Sequence, residues 1–310
     1  MLIDTRTDES MISSLAIYLN ITEDELFQYI DSATNKARID NLQIDYEIFE
    51  EEVISIISDL QPKEQIDEMY VYHLTRRLND FIVDKSSDNL KSLLLNDSSI
   101  SRFLRQYNIV FVEKDGHPII IFNNNEISLE DEPEFLFSES FHESLVNNNA
   151  IIEEDKHETG DCYFRRHLRY RLGYDIGDVD YCFNGFTFRN TLMKNDYADR
   201  LKKGPEFLIE LSSYLSIDGL IESYYENSKY YCFTYKMTID EIIFDEDDNL
   251  KTEDKINHFL VQIVKRIMSY IKDGKYMSDN NNPIVRIADD ANVPESKLVN
   301  VEEITPEMIK

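Results

Sequence analysis

A chain of 310 residues with 42% hydrophobic content is long enough for one large or two modest domains and rich enough in apolar side chains to bury a real core. Its 61 acidic residues against 32 Lys and Arg give a formal charge of -29, a field that repels phosphate backbones and argues against direct nucleic-acid binding. The longest apolar runs, such as IVFV and IIIF, are far too short to cross a bilayer, so no membrane span is expected.

The first 62 residues read as a helical unit. Met11 to Leu19 carries apolar residues near helical spacing, and Thr22 with Glu25 forms a capping-box pattern ahead of a second helix. That second helix opens TEDE and holds no basic residue before Lys36, so base reading in the manner of a helix-turn-helix is not expected. A third helix is predicted from Asp45 to Leu60, with Ile48, Val53, Ile56, Ile57 and Leu60 toward a core and Pro62 beyond its end.

Residues 63–275 read as an α+β main domain. MYVYHLT, from Met69 to Thr75, is rich in aromatic and β-branched residues and predicts a strand on which His73 and Thr75 share a face. The polar RRLND follows, then a helix around Asn89 to Leu95. Two apolar runs flank Asp115-Gly116 and predict a β-hairpin. From 123 to 160 the chain is mostly polar and acidic, with Lys156 its single Lys or Arg, and reads as an exposed insertion with one helix near Phe137 to Val146.

Arg165, Arg166, Arg169 and Arg171 then cluster among Tyr163, Phe164 and Tyr170, a combination suited either to phosphate and planar rings or to internal ion pairing. Residues 181–213 follow: a short strand-like run, a polar helix carrying Tyr197, a turn at Gly204-Pro205, and an alternating segment. Read as a strand, that segment places Glu206, Leu208 and Glu210 on one face and Phe207, Ile209 and Leu211 on the other. Further strands are predicted at 229–236 and 239–244, with DEDD at 245–248 as a turn. An amphipathic helix begins near Thr252 and turns Ile256, Phe259, Leu260, Ile263, Ile267 and Ile271 to one side. Residues 276–310 read as a polar tail.

No P-loop, Gly-x-Ser-x-Gly elbow or His-Glu-x-x-His zinc motif is present, and no metal is predicted. Cys162, Cys182 and Cys232 lie far apart and read as reduced, packed thiols. Together with the absence of a basic and then apolar leader pattern in the first thirty residues, this predicts a cytoplasmic protein.

Two resemblances rest on these motifs. The order of a His73-Leu74-Thr75 strand end, a helix with Asn89-Leu90, a helical Tyr197 and a Glu-bearing segment (PEFLIE) resembles the ADP-ribosyltransferase-like fold over residues 69–245. The series Cys182-Phe183, Leu192-Met193, Tyr197-Ala198-Asp199, Lys203-Gly204 and Ile209-Glu210-Leu211 is similar to an uncharacterised bacterial family found near mobile elements and defence genes. The first resemblance implies NAD as substrate. It gives His73 to the nicotinamide ribose, Tyr197 or a neighbouring aromatic to stacking on nicotinamide, Arg76 or Arg165 to a pyrophosphate, and Thr75 to the cofactor-binding set. Glu210, with Glu206 as its rival, would stabilise the cationic transition state. The alternative expectation is a non-catalytic acidic protein of phage or defence type. Its charge and its 19 Tyr and 17 Phe would engage a protein partner with a basic surface.

Overall fold

The computed structural model describes residues 1–40, 43–79, 87–129, 160–174, 181–190, 192–245, 250–273 and 282–309. The architecture is α+β, with a helical N-terminal part and antiparallel sheets. Helices α1 (Asp8–Leu19), α2 (Glu23–Lys36) and α3 (Tyr46–Leu60) come first. The Thr22 hydroxyl accepts from the Glu25 N–H at 3.2 Å, and Glu25 returns the bond to the Thr22 N–H at 2.8 Å, so the predicted capping box forms. On α3 the core residue is Phe49, fully buried, whereas Ile48 is 42% exposed. The one-position offset turns the predicted apolar face slightly.

Strand β1 (Glu68–Leu78) runs antiparallel to β6 (Ser228–Thr238) along its whole length, from Glu68 opposite Thr238 to Leu78 opposite Ser228. Around this ribbon lie β5 (Asn184–Phe186), β7 (Ile243–Phe244), β8 (Ile284–Arg286) and β9 (Leu298–Glu303), in the order β7-β8-β5-β1-β6-β9. Period-two alternation divides the sheet cleanly. Met69, Val71, Phe233, Tyr235 and Met237 face α1 to α3 and the long helix Thr252–Asp273, and all of these bury into one core. The N-terminal helices therefore share a hydrophobic core with the sheet. Tyr70, Tyr72, Leu74, Tyr230 and Cys232 face the other way, against Phe186, Leu192, Met193 and Ala198.

A third apolar cluster covers the Leu78 end of β1. It is built from α4 (Leu90–Leu95), α5 (Ser99–Arg105), the β2 (Ile109–Lys114), β3 (His117–Phe122) and β4 (Asn125–Ile127) sheet, α6 (Gly160–Leu172), α8 (Glu206–Tyr214) and α9 (Leu220–Glu226), whereas α7 (Asp196–Leu201) packs on the second cluster through Ala198. The hairpin turns where predicted: Asp115 and Gly116 have φ of 52° and 89°, the pair of positive values that a two-residue turn matching strand twist requires.

Three expectations are corrected. Residues 206–211 form the start of helix α8, because a short apolar run fits either period and burying Phe207, Leu208 and Leu211 together takes the helical one. The polar tail instead supplies β8 and β9 to the main sheet, with Val285 fully buried. Residues 239–241 form a 3-10 turn ahead of the two-residue β7. The helix expected near Phe137 to Val146 and most of the acidic insertion lie outside the described residues, as do 246–248 of the DEDD turn. On the long helix, Ile256, Phe259, Leu260, Ile263 and Ile267 are buried as read, while Ile271 is exposed. Among the described residues no helix is long and apolar enough to cross a membrane.

Candidate functional site

Beyond Tyr72, which pairs with Phe186, the ladder between β1 and β5 stops, while β1 runs on to Leu78. A cleft of about 240 Å³ opens beside this stretch. Its walls include His73, Thr75 and Arg77 of β1, Cys182 and Asn184 before and in β5, Tyr197 of α7, and Glu206 at the start of α8. Apolar filling comes from Leu90, Leu93, Ile100, Phe183, Phe207 and Tyr224.

The local fold fixes His73. Its Nδ1 lies 2.7 Å from the Asn184 carbonyl oxygen, which accepts only, so Nδ1 carries the proton and Nε2 keeps a lone pair. The Phe183 ring packs at 4.5 Å from the imidazole. Burial, reinforced by the Arg77 charge and partly offset by the Asn184 bond, pushes the His73 pKa down to about 3, so the ring is neutral at physiological pH. Gly185 makes this close approach possible: a Cβ there would lie 2.7 Å from Val71 Cγ1 and 3.0 Å from the Tyr72 carbonyl oxygen.

Tyr197 is set by Asn195, whose side chain caps α7 by accepting from the Tyr197 N–H at 2.8 Å. Its hydroxyl lies 3.5 Å from Glu206 Oε2, and Arg171 Nη2 lies 2.7 Å from the same oxygen. Arg77 donates to the Ser87 hydroxyl at 2.9 Å, and that hydroxyl is 2.7 Å from the Tyr235 hydroxyl, so a polar chain runs from the cleft into the core.

The residues predicted from sequence thus divide. His73, Thr75, Tyr197 and Glu206 come together in the cleft. Arg76 also contributes to its wall, but the guanidinium is engaged elsewhere. It donates to the Ser228 hydroxyl at 2.7 Å and to the carbonyls of Lys202, Tyr225 and Ser228 at 2.8 Å each, while lying 4.1 Å from the Tyr225 ring centre. Arg76 therefore ties α7, α9 and β6 together. Arg165 does not line the cleft; its guanidinium sits 5.9 Å from the Tyr214 ring. Glu210 does not line it either. It is 7% exposed and pairs with His167 Nδ1 at 3.2 Å and Arg171 Nε at 3.1 Å.

Sequence reading missed Arg77, Arg171, Cys182, Ser87 and Asp88 as lining residues. For Arg77 the signal was present: alternation continued past Thr75 puts it on the face of His73. For Arg171 the signal was composition alone, four arginines without a reason to choose one. Among the described residues no group of His, Cys, Asp and Glu is arranged to hold a metal. Comparison with known proteins returns no matching family model, curated protein or solved structure.

Proposed function

We propose that the protein is a cytoplasmic enzyme that takes the nicotinamide-ribose end of NAD into this cleft and transfers the ADP-ribosyl group, with Glu206 as the acting carboxylate. The single observation that supports the reading is the gathering of His73, Thr75, Tyr197 and Glu206 in one recess, from two stretches far apart in sequence. A cleft of about 240 Å³ is below the roughly 300–1,000 Å³ of most ligand pockets, so only one half of a dinucleotide would enter, with the rest extending outward.

In this reading His73 accepts a ribose hydroxyl through Nε2, while Tyr197 offers an aromatic face and Glu206 stands beside the ribose. When the bond between ribose and nicotinamide breaks, its electron pair leaves with nicotinamide and positive charge grows on the sugar. A fixed carboxylate stabilises that charge more than it stabilises the ground state. The acceptor nucleophile then forms the new bond to the ribose carbon and gives up its proton.

Titration calorimetry with NAD, ADP-ribose and nicotinamide tests the binding step. The reading expects NAD to bind and Tyr197→Ala to weaken it without unfolding the chain. No heat with any of the three ligands would set the reading aside.

One observation favours a second reading, a partner-binding role: the formal charge of -29 occurs with Tyr46, Ile48 and Ile54 exposed on the acidic helix α3. A basic partner steered by this charge should associate more slowly as salt rises, because exposed charges are screened beyond about 8 Å at physiological ionic strength. An association rate indifferent to salt leaves the charge as a contribution to solubility.

A further inference from the structure

Helices α6 and α8 face each other through a polar ladder rather than through apolar residues alone. His167 and Arg171 are one turn apart on α6, and Glu206 and Glu210 one turn apart on α8. His167 meets Glu210, Arg171 meets both carboxylates, and the helices therefore run antiparallel along this seam. Burial is graded along it. The Glu206 side chain, which lines the cleft, is 26% exposed, the Arg171 side chain 19%, and the Glu210 side chain 9%. A carboxylate as buried as Glu210 is costly unless its partners are fixed, and both of its charged contacts here come from the α6 side.

We infer that Glu210 is a positioning residue for the cleft carboxylate: it holds Arg171, and Arg171 sets where Glu206 stands. A guanidinium paired at one edge can still swing about its long side chain. The Glu210 carboxylate lies 3.1 Å from Nε without hydrogen-bond geometry there, so it draws the guanidinium to its side by charge while Nη2 donates to Glu206 at 2.7 Å. The Arg171 and Tyr197 contacts converge on Oε2 of Glu206. Among the described residues the hydrogen bonds and ion pair of Glu206 fall on Oε2 and none on Oε1. The consequence for NAD rests on the cleft reading above, but the coupling of Glu210 to Glu206 does not.

The test uses a readout that a purely stabilising ion pair would not move. With meta-fluorotyrosine at position 197, fluorine NMR reports the surroundings of the ring whose hydroxyl faces Glu206. Glu206→Gln should shift the resonance, and Glu210→Gln should shift it as well although Glu210 does not line the cleft. In an Arg171→Leu background, Glu210→Gln should add nothing. If Glu210→Gln fails to fold, Glu210→Asp keeps the charge with a shorter reach and should give a smaller shift in the same direction. A resonance that moves with Glu206→Gln but ignores every foldable change at Glu210, or an effect that persists without Arg171, overturns the inference. Failure to bind NAD would sink the ligand reading and leave this coupling standing.

Discussion

Arg171 holds Glu206 through Nη2 at 2.7 Å while its Nε, 3.1 Å away, faces Glu210, so one cation serves two carboxylates a helical turn apart. Removing the cation should be far more damaging than removing a surface ion pair. It would leave two like charges together, one of them buried. Arg171→Leu is expected to cost about 3 kcal/mol, the range found when one partner of a buried pair is deleted. Urea denaturation measures it, and a loss under about 1 kcal/mol would put the cluster with exposed pairs instead.

His73 gives a pH dependence with a definite sign. Its pKa lies near 3 in the folded protein against the ordinary 6.5. Between those values the unfolded chain binds a proton that the folded chain does not, so this residue makes stability fall as pH drops from 6.5 toward 3. His73→Asn keeps a donor near the position of Nδ1 but does not titrate there. The variant should lose less stability than the parent between pH 7 and pH 5 in urea melts. Equal losses would contradict an imidazole held neutral in the folded protein.

Gly185 is where β5 comes close enough for its neighbour Asn184 to reach His73. Gly185→Ala forces Val71 or the strand to move, with an expected cost of about 1–3 kcal/mol, typical of overpacking. It should also disturb the His73 ring, visible as a shift of the imidazole resonances. An unchanged melting curve and unchanged imidazole signals would mean that the strand gives way freely.

Two cysteines should differ sharply toward alkylation. Cys232 is buried on β6 and its thiol is pushed up to about 12 by burial, whereas Cys182 is partly buried and lines the cleft. In a Cys162→Ser background, iodoacetamide at neutral pH should modify Cys182 first and Cys232 only on unfolding. Saturating NAD should slow the reaction at Cys182 severalfold. Modification of Cys232 in the native protein would contradict its burial, and unprotected Cys182 would count against ligand entry.

The fold was legible wherever local chemistry and tertiary packing agreed. The Thr22 and Glu25 pattern, Asp115-Gly116 and the apolar spacing of the long C-terminal helix each predict the element that forms. Residues 206–211 did not, because six residues with apolar positions at both spacings leave the choice to packing. The face shared by Glu206 and Glu210 was still read correctly, since i and i+4 coincide on a helix as well as on a strand. What sequence could not supply was depth. Both glutamates share a face, yet only Glu206 lines the cleft, because Arg171 and His167 come from a different helix to close over Glu210. The β8 and β9 strands were hidden for a similar reason: short segments within a polar stretch become strands through the edges they complete.

The most direct test of the central claim is transfer of label from NAD carrying a radioactive adenylate phosphate to protein in a cell lysate, with the wild type, Glu206→Gln and Tyr197→Ala compared at equal folded concentration. The account predicts labelling by the wild type and a drop of roughly a hundredfold or more with Glu206→Gln, the scale of losing one preorganised electrostatic contact in a transition state. Labelling that survives Glu206→Gln intact, or none from a wild-type protein that binds NAD, would contradict it.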